Sequence, residues 1–171
     1  MDTLELIENR YSVRKFKDTP IEDAKMMKIL SAIQHAPTAK NYQPIHVFVC
    51  KSEESHQKVD AATKCRYGAP VVLVVCYDRN EVWTNPFDSD VHSGDIDAAI
   101  VADEAILEAW SIGIASCWVA MFNHQELSRQ LGLQENIKPV VLIPMGYAAE
   151  DAKPAPRHTE YKALEDMVHE L

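Results

Sequence analysis

Three short polar clusters in this chain carry residue types suited to holding a charged, planar ligand. The first is Arg10-Tyr11-Ser12-Val13-Arg14. In an extended segment residues 10, 12 and 14 point the same way, so two guanidiniums and a hydroxyl would share one surface. That surface suits an anion, or a polar ring edge beside a phosphate. It reads equally as a solvated strand edge continued by Lys15 and Lys17. The second cluster is Pro37-Thr38-Ala39-Lys40-Asn41-Tyr42-Gln43-Pro44. Its hydroxyl and amide groups can read a heterocycle through paired donors and acceptors. The same residues also make a plain helix-to-strand connection. The third runs from Gly113 through Ser116, Cys117, Trp118, Ala120 and Met121 to Asn123. Small side chains such as Ala120 let a ligand approach backbone N–H groups, whereas ordinary strand-end packing would use Trp118 as core filler.

Other chemistries lack their residues. The 5 glycines are dispersed, which rules out a Gly-rich dinucleotide fingerprint or a P-loop. No GxSxG elbow is present. The 7 histidines form no HExxH and the 4 cysteines no Cys-x-x-Cys, so no zinc site is expected. Cys50, Cys76 and Cys117 sit in apolar runs, where a reduced thiol acts as a small hydrophobe.

Positioning these clusters requires helices interleaved with strands. The spacing predicts a short helix over residues 3–9, with Leu4 and Ile7 facing inward. Thr19-Pro20-Ile21-Glu22 reads as a capped start to a second helix. Met26, Ile29, Leu30 and Ile33 then recur at helical spacing, ending near His35 ahead of Pro37. Residues 45–50 read as a strand, and Ser52-Glu53-Glu54 as another helix start. Residues 70–76, continuously apolar and β-branched, read as a buried central strand. Residues 78–92 look irregular. Ser93 opens the longest helix, with Ile96, Ala99, Ile100, Leu107 and Trp110 as its inner face and Gly113 at its end. A strand at 114–119, a helix capped by Asn123 and closing at Gly132, a buried strand at 139–145, and a last helix from about Tyr161 complete the pattern. A sheet covered on both faces follows. The 171 residues suit one domain, with no repeat or linker to divide them.

The net charge of −9, from 17 basic and 26 acidic groups, argues against nucleic-acid binding. A few arginines can still hold one phosphate. With no leader-like start and no apolar run of membrane-spanning length, a cytoplasmic protein is expected.

The clusters, in this order and spacing, resemble those of FMN-binding nitroreductases. RYSVRKF resembles the family's N-terminal segment, and HAPTAKNYQPIHVFVC its APSxxNxQPW-type loop and strand. GDIDAAIVADEAILEAWSIGIASCWVAMFN is similar to the family's central helix and following strand. VVLIPMGYAAEDAKPAPRH is similar to its closing strand, acidic bend and basic tail. The resemblance spans Leu6 to Leu164.

It implies an α+β, three-layer α-β-α fold with a mixed central sheet, in an intertwined homodimer with FMN at the subunit interface. It further implies that Arg10 and Arg157 bind the FMN phosphate. Ser12 and Arg14 would contact the pyrimidine side or ribityl chain, with Trp118 near the ring. Backbone N–H groups at Ala120 and Met121 would face N5 and O4. Pro37, Thr38, Ala39, Asn41 and Gln43 would approach from the partner subunit. Longer members often carry Glu-Gly where this chain has Ala120-Met121. Ala155 stands where a second basic tail residue is common, leaving Lys153 to reach from further away. NAD(P)H would reduce the flavin, and a nitro compound, quinone or activated alkene would reoxidise it. Trp83, Phe87, Met121 and Phe122 are candidates for the acceptor pocket, since aromatic loop residues can stack on a planar substrate, and they serve equally to pack the loop onto the core. A flavin store or redox sensor, and another reductive reaction such as dehalogenation, fit the same residues.

Overall fold

The computed structural model describes residues 2–171. Four strands form the main sheet in the order β1-β2-β6-β5: β1 is Ile45–Cys50, β2 Val71–Asp78, β5 Ala115–Ser116 and β6 Ile137–Gly146. All three ladders are antiparallel. An isolated parallel bridge from Ser12 to Ser116 supplies the mixed element and extends the sheet beyond β5.

Strand β2 has a hydrogen-bonded neighbour on each side and helices packed on both faces, so it is buried almost throughout. Alternation then sorts its side chains into two cores. Val71, Leu73 and Val75 pack under α2 (Asp23–His35) and α4 (Gly94–Ser111). Val72, Val74 and Cys76 pack under α3 (Glu53–Ala62) and α5 (His124–Leu131). The result is the expected α-β-α layering. Short caps fix the helix starts. Asp2 and Glu5 make a capping box for α1 (Thr3–Asn9), Ser52 caps α3, and Asn123 caps α5, which ends at Gly132 with φ +66°. None of the helices among the described residues is long and apolar enough to cross a membrane.

Several details differ from the sequence reading, each for an identifiable reason. Helix α2 starts at Asp23, because Ile21 is drawn into the core and Glu22 accepts the Tyr147 hydroxyl at 2.6 Å. The buried stripe of α4 is Ala98, Val101, Ala102, Ala105, Ile106 and Ala109, whose small residues let the helix sit close on the sheet. Ile96, expected inside, is 59 % exposed. Leu4 and Ile7 are exposed as well. Residues 84–92 form a hairpin, β3 (Thr84–Asn85) with β4 (Asp88–His92), and Phe87 projects from its tip. Strand β5 is short because Pro144, which receives the Cys117 N–H at 3.0 Å, has no N–H to return. The tail forms two 3₁₀ turns, Pro156–Thr159 and Leu164–Asp166, in place of a helix. Its Tyr161, Leu164 and Met167 find no apolar surface in this chain.

All four cysteines are free and buried. Burial pushes the Cys50 and Cys117 thiols up and the Cys76 thiol up to about 12.

Candidate functional site

Beyond α1, residues 12–17 run along the sheet edge. The Val13 N–H donates to Ser116 O at 2.9 Å, the Ala149 N–H to Lys15 O at 3.0 Å, and the Lys17 N–H to Tyr147 O at 2.8 Å. Val13 is fully buried, which leaves Ser12 and Arg14 as its outward neighbours. Ser12 bridges to Ser116, next to Cys117. Burial raises the Cys117 thiol most, while Arg14, the Ser12 hydroxyl and Arg10 pull it back. The Tyr67 phenol lies beside them, raised mainly by its hydrogen bond with Cys65 and by burial, and lowered by Arg14. Neither Arg10 nor Arg14 makes an ion pair among the described residues. Both guanidiniums are thus without a paired carboxylate among the described residues.

The basic tail folds back to the same place. Tyr11 meets Trp110 of α4 edge-on at 5.3 Å and His158 at 5.9 Å. Arg157, next to His158, is 90 % exposed and, among the described residues, bonded only to Glu160. The segments carrying Arg10 and Arg157 are therefore packed against one another through Tyr11 and His158.

The strand that passes Ser12 leads on to the third cluster. Trp118, Ala120 and Met121 are exposed there. An open cavity of about 620 Å³ lies between residues 120–123 and the end of α3. Its floor is pinned: the Thr63 hydroxyl donates to Met121 O at 2.7 Å, and the Asn123 N–H donates to Ala62 O at 2.9 Å.

The second cluster lies elsewhere. Lys40, Asn41 and Gln43 all adopt positive φ, of 50°, 56° and 53°. The Gln43 N–H donates to the Thr38 hydroxyl at 3.0 Å and the Gln43 amide to Asn41 Oδ1 at 2.7 Å. The Ala39 N–H reaches out of the loop to Asp97 Oδ1 at 2.9 Å. Pro37 is exposed at the loop's entry. Asp97 lies in the first turn of α4, whereas Trp110, beside Tyr11, lies in its last. Thirteen residues separate them, about 20 Å at about 1.5 Å per residue. The structure thus brings together Arg10, Ser12, Arg14, Trp118, Ala120, Met121 and the Arg157 turn. It holds Pro37, Thr38, Ala39, Asn41 and Gln43 at the other end of the same helix.

Three residues near these clusters escaped the sequence reading. Thr63 and Asp97 act through backbone partners 58 residues away, and Tyr67 has no flanking motif. Asp97 is an acid in the first turn of α4, a place the helix dipole alone explains. A separate surface group, His46, Asp78 and Glu81, brings three potential ligand atoms within 4.8 Å of one another. Both Asp78 oxygens there already accept hydrogen bonds, from the Asn80 N–H and the Asn136 amide.

The fold and the clusters can be set beside known proteins. A crystal structure of a nitroreductase family protein from Clostridium difficile 630 superposes with a TM-score of 0.93 at 35% identity, over 99% of this chain and 98% of that one. An Archaeoglobus fulgidus protein, provisionally named NADH dehydrogenase/NAD(P)H nitroreductase, is 30% identical over 88% of this chain and 87% of its own length. The Bacillus subtilis protein named FMN reductase [NAD(P)H] is 25% identical over 91% of this chain and 70% of its own. The model of the Nitroreductase family matches residues 7–67 and 64–147, which include the first, second and third clusters. This chain belongs to the nitroreductase family.

Proposed function

We propose that this protein is a cytosolic, homodimeric FMN oxidoreductase that takes electrons from NAD(P)H and passes them to an electron-poor acceptor, a nitro compound, quinone or activated alkene. The observation that carries this reading is the division of the site between the two ends of α4. Within one chain the clusters contact opposite ends of α4, at residues about 20 Å apart along the helix axis, a span longer than one flavin ring. In a two-fold pair each patch meets the other chain's counterpart, so the guanidinium end of one copy can face the loop end of the other. Exposed Leu4, Ile7, Ile96 and the apolar tail residues offer surface for such a pair to bury. The names of the Bacillus subtilis and Archaeoglobus fulgidus relatives support the cofactor and the donor.

The residues present fit FMN. Two uncompensated guanidiniums at Arg10 and Arg14, with the exposed Arg157 nearby, match a phosphate and a ring edge that gains negative charge on reduction. Arg10 and Arg157 would hold the phosphate, Ser12 and Arg14 the pyrimidine side, with Trp118 beside the ring. Pro37, Thr38, Ala39, Asn41 and Gln43 would close over it from the partner subunit. When bound, FMN supplies the hydride and electron chemistry that amino-acid side chains lack. The chain's own part is to stabilise charge and to leave one ring face open. Arg14 places a permanent cation where negative charge develops. Among the described residues the Ala120 and Met121 N–H groups make no hydrogen bond, which leaves them free to donate to a bound ring. Met121 and Phe122 line the cavity on this chain, while Trp83 and Phe87 belong to the hairpin at the loop end of α4 and would come from the partner. The whole chain works as one FMN-binding domain. Its four buried, unpaired cysteines suit a reducing compartment.

The test is a titration of the purified protein with FMN, followed by anaerobic addition of NADH or NADPH and then a quinone. Binding, bleaching and prompt recovery of the flavin absorbance are expected. A dimeric protein that takes up no FMN overturns the proposal. Uptake without bleaching reassigns it to flavin storage or sensing.

A further inference from the structure

The loop at residues 38–43 is held by very little. Lys40, Asn41 and Gln43 are left-handed, a conformation that residues other than glycine avoid and keep only where the surroundings enforce it. The loop's own hydrogen bonds close it on itself. Among the described residues, one hydrogen bond joins residues 37–43 to another element, from the Ala39 N–H to Asp97 Oδ1 at 2.9 Å. Asp97 is 2 % exposed, and among the described residues its carboxyl makes no ion pair. Its other oxygen accepts the Ser93 hydroxyl at 2.6 Å, and Ser93 is itself 3 % exposed. The Ser93 oxygen in turn accepts the Trp83 N–H at 3.3 Å, at the root of the β3–β4 hairpin. The Asp97 N–H also closes on Ser93 O at 2.7 Å. One buried carboxylate thus ties together the loop, the first turn of α4 and the base of the hairpin.

We infer that Asp97, oriented by Ser93, is a positioning residue for the cofactor site of the partner subunit: it holds the 38–43 loop in the left-handed form that the site requires. A buried acid is retained where its oxygens are used, and here both are spent on geometry. Apolar packing could cover the same spot, but it could not direct the Ala39 N–H. Asp97 does not touch the cofactor. Its effect passes through the loop and across the two-fold interface. This inference rests on the interface FMN site proposed above.

The test uses the full-length protein and FMN itself. Asp97→Ala is expected to weaken FMN binding by roughly 10-fold to 100-fold, the effect of losing a hydrogen bond to a charged acceptor. Asp97→Asn keeps an acceptor oxygen for Ala39 and is expected to recover most of the affinity. Hydrogen exchange on the FMN-free protein should show faster exchange at Ala39 and its neighbours in Asp97→Ala than in Asp97→Asn. A mixed dimer separates a local role from general damage. One subunit carries Asp97→Ala and the other Arg14→Ala, so one site receives both changes and the other receives neither. Each variant homodimer binds FMN weakly, and the mixed dimer is expected to bind one FMN with wild-type affinity. Failure to recover that site, or unchanged FMN affinity in Asp97→Ala, overturns the inference. Wild-type protein that takes up no FMN overturns the proposed function instead.

Discussion

The guanidinium segment and the 37–43 loop are built on opposite principles, although both would touch the same cofactor. Residues 12–17 lie along a sheet edge, joined to residues 116, 147 and 149 by backbone hydrogen bonds in ordinary extended geometry. The loop keeps three left-handed residues and one hydrogen bond to its surroundings, made to a side chain. The first region is fixed by the fold and contributes charge. The second is fixed by a single carboxylate and contributes shape. Substitutions in the first should therefore change binding and leave stability alone, while changes around the second should register in both.

The sharpest separation comes from Arg10→Ala and Arg14→Ala. Each should weaken FMN binding by about 10-fold to 100-fold, the worth of a charge-assisted contact. Thermal unfolding should move by less than about 0.5 kcal/mol, because no ion pair is lost. Equal losses in fluorescence titration and in stability would break the comparison. At the other end of α4, a Cβ on Gly94 would sit 2.5 Å from the Tyr77 ring. Gly94→Ala should cost roughly 2–3 kcal/mol in urea unfolding, since that ring is buried and cannot swing away. An unmoved midpoint would mean that α4 slides without penalty. Thr63→Val removes the donor to Met121 O and should lower stability by about 1–2 kcal/mol. Its readout is the paired urea curve and the FMN affinity, which should fall with it as the 120–122 backbone loosens. Lys40→Gly relieves an exposed left-handed position and should raise stability by about 0.5 kcal/mol, after the entropy that glycine brings to the unfolded chain. A loss in differential calorimetry would mean that the loop is not strained there.

The smallest effect concerns acid. Arg129 first, then Gln130, holds the Glu126 carboxyl down at about 2. A depressed folded-state value stabilises the protein above the unfolded value, about 4.3, and that contribution fades as the pH falls towards 2. Glu126→Gln should flatten the pH dependence of unfolding in that window only. Because Arg129 is exposed and Glu126 only partly covered, added salt should shrink the difference.

How much could be read from residues alone follows the same division. Strand β2, the end of α2 at His35, the Asn123 cap and the Gly132 stop are local signals, and each lies where its residues predict. The guanidinium cluster was legible because an extended strand has a fixed two-residue period. Asp97 and Thr63 were not, because their partners are set by tertiary contact. The errors about burial share one cause. Leu4, Ile7 and Ile96 have the periodicity of buried residues, yet this chain leaves them exposed. Pattern identifies what must be covered but not by which molecule. The 84–92 hairpin failed for a different reason. Its second strand, Asp88–His92, has no apolar alternation, since both faces meet solvent.

The four sequestered thiols turn the molecule into its own reporter of opening. A maleimide reagent attacks thiolate, and all four cysteines are buried in the native state. Labelling must wait for the layers to part. Cys117 sits under the guanidinium segment and Cys76 at the centre of the sheet, so the order in which they are captured maps which seam gives way first.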